Sequence, residues 1–269
     1  MKKIYFLLSS LATLLVPVAA QAITITNVTT NTVLFHDNFE ALLPVSTIAA
    51  LDGSGDFDPV AITGSYLYEE GGFVDLVQVT NFDDGTLSGP GAFEGGKYLR
   101  IVSGTQETQA DLATTPSIGD HINIAFMAYF TTFGTSGNQA VFKIRGNGLG
   151  GDDQKAGARA TVGGAVADLN GDPTALTYVL GQWQKWEFDY IIGENTYTMA
   201  IDGVSSGPIS NLSRGGPGNI QGFGFWQGAT EGSFYLDAVS IPEPNTAILL
   251  VIGFICCTCR KGKHRWSNL

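Results

Sequence analysis

Two carboxylates stand two residues apart in the run Trp186-Glu187-Phe188-Asp189-Tyr190. Apolar and polar residues alternate through it, with Trp186, Phe188, Tyr190 and Ile192 on one face and Glu187, Asp189 and Ile191 on the other. That is the period of a half-buried strand. Carboxylates about 5 Å apart can serve as acid and nucleophile in retaining glycoside hydrolysis. The next acid such a pair needs on the same strand is missing, since position 192 is isoleucine and Glu194 falls beyond Gly193. The pair therefore reads as two solvent-facing acids, and no catalytic residue is assigned.

Other reactive constellations are also lacking. His36 and His121 each open an apolar run, and neither has the histidine spacing of a zinc site. No Gly-x-Ser-x-Gly elbow supports a serine nucleophile. The glycine-rich run at 146–153 lacks the Lys-Ser/Thr ending of a phosphate cradle. Cys256, Cys257 and Cys259 are the three cysteines of the chain. They crowd together near its C-terminus, so the rest has no disulfide and no thiol chemistry. The chain is read as a non-enzyme.

Binding chemistry has more support. Asp52, Ser54, Asp56 and Asp58 place oxygen ligands at alternate positions in a glycine-rich stretch, as do Asp168, Asn170 and Asp172. Such spacing can wrap calcium. Neither run is an EF-hand, because the twelfth positions are Thr63 and Val179. Calcium is the one cofactor considered. For glycans, exposed aromatics beside short polar groups are the expected platform. Trp183, Trp186, Trp226 and Tyr66 or Tyr68 are the candidates. Trp183 leads them because it starts a strand and so lies near a loop edge.

Charge narrows the partners. Between residues 23 and 240 there are 8 basic and 24 acidic residues, a net charge of −16. Phosphate backbones are bound by basic clusters, so nucleic acid is excluded as a partner.

The elements that must position these residues read as strands. Turn signals recur at Asp52-Gly53, Asp84-Gly85, Gly95-Gly96, Gly163-Gly164, Asn170-Gly171, Asp202-Gly203 and Gly215-Gly216. Between them the pattern predicts strands at 32–39, 97–102, 121–133, 140–145, 158–166, 183–192, 196–201, 222–227 and 233–241. The segment 121–133 is apolar on both alternating sets, as in a central strand buried on two sides. Residues 41–96 read as long loops, with strands at 61–68 and 74–79. The whole is all-β and antiparallel, a sandwich rather than a small barrel.

The termini differ from the rest. Lys2 and Lys3 precede an apolar stretch from Ile4 to Val16, and Ala20-Gln21-Ala22 supplies small residues for cleavage. This is the pattern of a secretory signal peptide over 1–22, cut by signal peptidase after Ala22. At the other end, the apolar run 247–259 would span roughly 20 Å as a helix. The hydrocarbon core measures about 30 Å, so the run is short for a permanent anchor. Pro242 and Pro244 prevent its extension backwards. Arg260, Lys261, Lys263 and Arg265 follow it and would be held on the cytoplasmic side.

Pro242-Glu243-Pro244, the polar pair Asn245-Thr246, the apolar run and the basic cluster resemble a PEP-CTERM sorting signal over 241–269. The resemblance implies a Gram-negative bacterium that makes exopolysaccharide. It also implies processing by an exosortase, a transient membrane association of the precursor, and delivery to the outer surface or extracellular matrix. Asn245 stands where Ser or Thr is more usual, and glycine and histidine interrupt the basic end. A GPI-type signal fits less well, since it requires a polar spacer that is absent here.

The segment GQWQKWEFDYIIGENTYTMAIDGV (181–204) resembles laminin-G and related concanavalin-A-like jelly rolls. LFHDNFE (34–40) and FYLDAVSI (234–241) are similar to the paired first and last strands of carbohydrate-binding members. That pairing implies a further calcium site, where Asp37 or Glu40 meets Asp237. Glu187-Phe188-Asp189 is similar to the start of the Glu-x-Asp-x-x-Glu strand of laminarinase-like glycosidases, and Ile192 breaks the match. The reading is an antiparallel jelly-roll sandwich over 23–240 that is structural or adhesive and contacts exopolysaccharide. A secreted glycan-active enzyme on the same fold is the alternative. N-terminal sequencing of the exported protein is expected to begin at Ile23, and a start at Met1 would refute the signal peptide.

Overall fold

The computed structural model describes residues 23–37, 65–68, 74–75, 93, 98–102, 108–133, 137–146, 153–211, 218–226 and 233–237. Ala20, Ala22, Glu40, Asp52, Asp56, Asp58, Pro242, Glu243, Pro244 and the apolar run 247–259 lie outside the described residues. Within them the chain forms strands and no helix. The first nine are β1 (Ile23–Asn27), β2 (Thr32–Asp37), β3 (Ser65–Tyr68), β4 (Val74–Asp75), β5 (Leu99–Val102), β6 (Thr108–Asp111), β7 (His121–Phe130), β8 (Asn138–Arg145) and β9 (Gln154–Thr161). There follow β10 (Ala165–Asp168), β11 (Pro173–Thr177), β12 (Trp183–Ile191), β13 (Thr196–Ile201), β14 (Val204–Ser205), β15 (Ile209–Ser210), β16 (Gly222–Trp226) and β17 (Ser233–Asp237).

The strands form two antiparallel sheets. Sheet A has the order β14-β13-β12-β7-β17-β5-β4, with β1 also on β7, β2 on β1 and β15 on β13. Sheet B has the order β11-β10-β9-β8-β16-β6-β3. The expected all-β antiparallel architecture is present. The expected pairing of 34–40 with 234–241 is not, because β2 pairs with β1, and β1 and β17 do not pair with each other. They share one edge of β7 instead, with Ile23 opposite Phe126 and Asp237 opposite Met127. Both run antiparallel to β7, so β17 ends where β1 begins. The opposite edge of β7 is taken along almost its whole length by β12, from His121↔Ile191 to Tyr129↔Trp183.

This central place follows from composition. A strand apolar on both alternating sets has no face that water favours, and an interior position covers both. Its inward set, Ile122, Ile124, Phe126, Ala128 and Phe130, joins one core drawn from both sheets. From β12 come Trp186, Phe188 and Tyr190, the inward set that alternation predicts. From sheet B come the rings of Phe142, Phe223 and Phe225, beside the small side chains of Ala156, Ala158 and Ala160 on β9. Trp186 is fully buried, with its ring 5.1 Å from Phe142, 6.1 Å from Phe130 and 6.4 Å from Tyr178. One polar tie crosses this core: the Tyr197 hydroxyl donates to the Gly157 carbonyl at 2.5 Å. Burial pushes the Tyr197 phenol above its ordinary pKa, so it remains a donor.

Turn chemistry sets several boundaries. Asp202 and Gly203 have φ of 49° and 79° between the paired residues Ile201 and Val204, which gives the type I′ hairpin that Asp-Gly favours. The Asp202 carboxylate then accepts from the Lys185 N–H at 2.8 Å and the Gln184 amide at 3.0 Å, fastening the hairpin tip to the start of β12. The single strand predicted at 158–166 is two strands. Gly163 and Gly164, at φ of 88° and 89°, turn the chain between β9 and β10. The segment predicted at 121–133 stops at Phe130. Strands β1, β6, β11, β14 and β15 had no counterpart in the predicted set.

Replacing Trp186 with alanine removes the largest fully buried side chain. It is expected to cost about 3–5 kcal/mol of unfolding free energy in urea titration. A loss under about 1 kcal/mol would contradict its central place in the core.

Candidate functional site

The outward face of sheet A carries most of the residues with binding chemistry. Strand register aligns them in rows. At one end Trp183, Tyr129 and Tyr235 lie side by side across β12, β7 and β17. The Trp183 ring is 5.5 Å from Tyr129, and Tyr129 is 6.1 Å from Tyr235. Tyr98, fully buried, packs edge-on at 6.0 Å from Trp183 and 5.3 Å from Tyr235. Phe93 stands edge-on at 6.3 Å from Trp183 and is 46% exposed. Beneath the row, Ala125 and Met127 form a small second apolar cluster against Trp183. The Asp237 carboxylate accepts the Phe93 N–H at 2.5 Å, which holds that residue over the face.

Towards the other end of the same face the side chains become polar. Asp189 is held by His121 Nε2 at 3.0 Å and by the Asn123 amide at 3.1 Å. Lys185 Nζ reaches Glu187 at 2.5 Å. His121 and Asp189 keep 40% and 44% of their side-chain surface in solvent, so this part of the face is available to a ligand. Alternation places Glu187 and Asp189 outward, as the sequence pattern indicates. Each is engaged by a neighbour on its own sheet, and the third position of a catalytic strand is Ile192, which points into the core.

The remaining glycan candidates lie elsewhere. Trp226 ends β16 opposite Val141, with Lys143 Nζ 5.6 Å above its ring. Its neighbour Phe225 faces the core, so Trp226 lies on the outward face of sheet B, across the sandwich from Trp183. Tyr66 lies on β3, the edge strand of sheet B, opposite Ala110. Trp186 is core. Trp183 is therefore the one tryptophan among the candidates that the fold joins to a larger aromatic surface.

The calcium candidates separate as well. Asp168 is 6% exposed and folds its carboxylate into its own loop. It accepts from the Asn170 N–H and the Asp172 N–H, each at 2.8 Å, and from the Asn170 amide at 3.1 Å. The alternating Asp168, Asn170 and Asp172 thus make a side-chain-capped turn. Asp37 and Asp237 are both fully buried. Register nevertheless puts them on opposite faces of sheet A: Asp37 pairs with inward Ile23, and Asp237 with outward Met127. Among the described residues no three His, Cys, Asp or Glu side chains gather into a metal cluster.

No protein-family model matches the sequence, and no curated protein does. Among solved structures the chain resembles a sialidase at 10% identity and a TM-score of 0.41, over 56% of this chain and 16% of the sialidase. The chain therefore corresponds to a small part of that protein. It also resembles the potassium-bound Emp46p carbohydrate recognition domain, at 13% identity and a TM-score of 0.37, over 53% of this chain and 84% of that one. A third likeness is to the Caenorhabditis elegans galectin LEC-6, at 10% identity and a TM-score of 0.36, over 54% and 96% of the two chains.

His36 gives the stability of the fold a pH dependence. It lies on β2 opposite Thr24, is 9% exposed, and its Nδ1 has no hydrogen-bond partner among the described residues. Burial lowers its pKa from the ordinary 6.5. The unfolded chain therefore binds the proton more readily, and stability falls as pH drops below about 6.5. Thermal unfolding between pH 7.5 and 5 is expected to show this decline, with a smaller slope in His36→Gln. Equal slopes in the two proteins would exclude His36 as the cause.

Proposed function

We propose that the protein is exported, sorted by its C-terminal signal, and displayed at the cell surface or in the matrix, where its sandwich binds exopolysaccharide without turning it over. The observation that carries the binding half is the outward face of sheet A. It sets a half-buried tryptophan in an aromatic row beside a row of half-buried hydrogen-bonding groups. Pyranose rings present apolar C–H faces and a rim of hydroxyls, so they suit a surface that is aromatic at one end and polar at the other. In this reading the sandwich is a concanavalin-A-like jelly roll, and Trp183 with Phe93 forms the stacking platform. Asp189, Asn123 and Glu187 receive or supply hydrogen bonds to hydroxyls.

The export half rests on the N-terminal Lys-apolar-Ala-Gln-Ala pattern and on the Pro242-Glu243-Pro244 tail. Signal peptidase and an exosortase are the processing partners. The net charge of −16 between residues 23 and 240 repels polyanions, so a neutral polysaccharide is the ligand class this surface favours. Hydrolysis is the weaker reading, because Glu187 and Asp189 are both engaged and lack a third acid on their strand.

Binding to neutral glucans and to the producing strain's polysaccharide is expected to weaken at least about tenfold in Trp183→Ala, the loss typical of a central aromatic anchor. Asp189→Asn should weaken it less, and Trp226→Ala on the opposite sheet should leave it unchanged. Equal effects of Trp183→Ala and Trp226→Ala would refute the assignment to sheet A. Glucan turnover that disappears in Glu187→Gln would replace binding with catalysis.

A further inference from the structure

Two contact points on the outward face of sheet A lie far apart along one strand. Trp183, Lys185, Glu187 and Asp189 are outward residues of β12, facing Tyr129, Met127, Ala125 and Asn123 of β7 in turn. Trp183 and Asp189 are therefore separated by about 20 Å at the usual strand rise. One or two pyranose rings fall short of that distance, and a chain of several covers it. Between the two points the floor is low, since Glu187 has Ala125 on one side and Ala200 on the other. The aromatic row offers no equal path across the strands. It sinks towards β17, where Tyr235 and Tyr98 are buried. The far point is set to accept hydrogen bonds. His121 Nε2 and the Asn123 amide both lie against Oδ1 of Asp189. Oδ2 takes no hydrogen bond among the described residues, and the side chain stands partly in solvent. Two partners on one oxygen fix the carboxylate and leave the other oxygen as a preset acceptor for a hydroxyl, a strong class of hydrogen bond.

We propose that this face binds an internal stretch of a linear neutral polysaccharide laid lengthwise along β12, stacked on Trp183 at one end and hydrogen-bonded to Asp189 Oδ2 at the other. The proposal rests on the glycan-binding reading and adds to it the ligand's shape, direction and minimum length. A chain held at Trp183 brings its later units to Asp189 without a second diffusional encounter, so the second contact forms as an intramolecular event. A mono- or disaccharide reaches one point only and gains nothing from the other. The Lys185–Glu187 ion pair lies between the two points. Partly exposed pairs of this kind contribute little, so hydroxyls of the middle units can displace it with small loss.

The test is calorimetric titration with linear gluco-oligosaccharides of two to eight units, and with fragments of the producing strain's polysaccharide cut to the same lengths. Affinity should rise at least about twentyfold from two units to eight. A longer chain offers more registers, but these multiply affinity only by their number, so a rise of that size requires the second contact. Asp189→Asn should weaken the eight-unit ligand about fivefold and leave the two-unit ligand unchanged, whereas Trp183→Ala should weaken both. Asp189 lies at the surface, and an unchanged melting temperature of Asp189→Asn checks that the sheet is intact. Equal affinity at all lengths, or the same Asp189→Asn loss at two units as at eight, would overturn the lengthwise assignment while glycan binding itself stood. No binding at any length in either series would remove the glycan reading and this inference together.

Discussion

The two occupied edges of β7 are the constraint on which the rest of the sandwich depends. Backbone N–H and C=O groups buried in a core must find partners, and β7 is buried along most of both faces. One long strand, β12, supplies one edge. The other edge is too long for either β1 or β17, so each takes half. Register on this strand is strictly enforced, because a shift of one residue would turn Phe126 outward and Met127 inward. The same register aligns Trp183, Tyr129 and Tyr235. Core and surface are thus set by one pairing pattern.

Packing across the sandwich is unequal by design of the side chains. Sheet A contributes Phe126, Phe130, Trp186, Phe188 and Tyr190, while the facing strand β9 contributes three alanines. Large groups on one layer meet small ones on part of the other, which keeps interiors near crystal density without strained rotamers. Gly157 marks the limit of this arrangement. A Cβ there would stand 2.1 Å from the Phe142 carbonyl oxygen, so the approach of β9 to β8 requires glycine. The Tyr197 hydroxyl uses the carbonyl of that same residue as its partner across the core.

Much of sheet A was legible in the sequence because its strands are strongly periodic. Trp186 to Ile192 alternates cleanly, and Asp202-Gly203 announces its hairpin. The strands that escaped were those whose identity depends on neighbours. Gln154 to Gly157, the part of β9 ahead of the predicted start at 158, carries no strand pattern of its own and becomes strand because β8 pairs with it. Pro173 opens β11, which is tolerable only at the first position of an edge strand. The site was half legible. Trp183 stood out by its place at a strand start, but Tyr129, Tyr235, Tyr98 and Phe93 joined it through long-range register that no local pattern reveals. Asp37 and Asp237 were expected together because first and last strands were expected to pair. An end-to-end arrangement keeps them close in the sheet and assigns them to opposite faces.

Asp237 connects the two regions that matter most. Its strand position belongs to the joint between β17 and β1, and its carboxylate holds the Phe93 backbone over the aromatic row. Two residues before it, Tyr235 lies in that row, packed against Tyr98. A change in how tightly β17 is seated therefore reaches Trp183 through two routes, the Tyr235 ring and the Phe93 anchor. Neither passes through the main core, whose contacts lie on the other side of the sheet. The outward aromatic surface is accordingly governed by the closure of the domain's last strand, while Trp186 and its neighbours govern whether the sandwich forms at all.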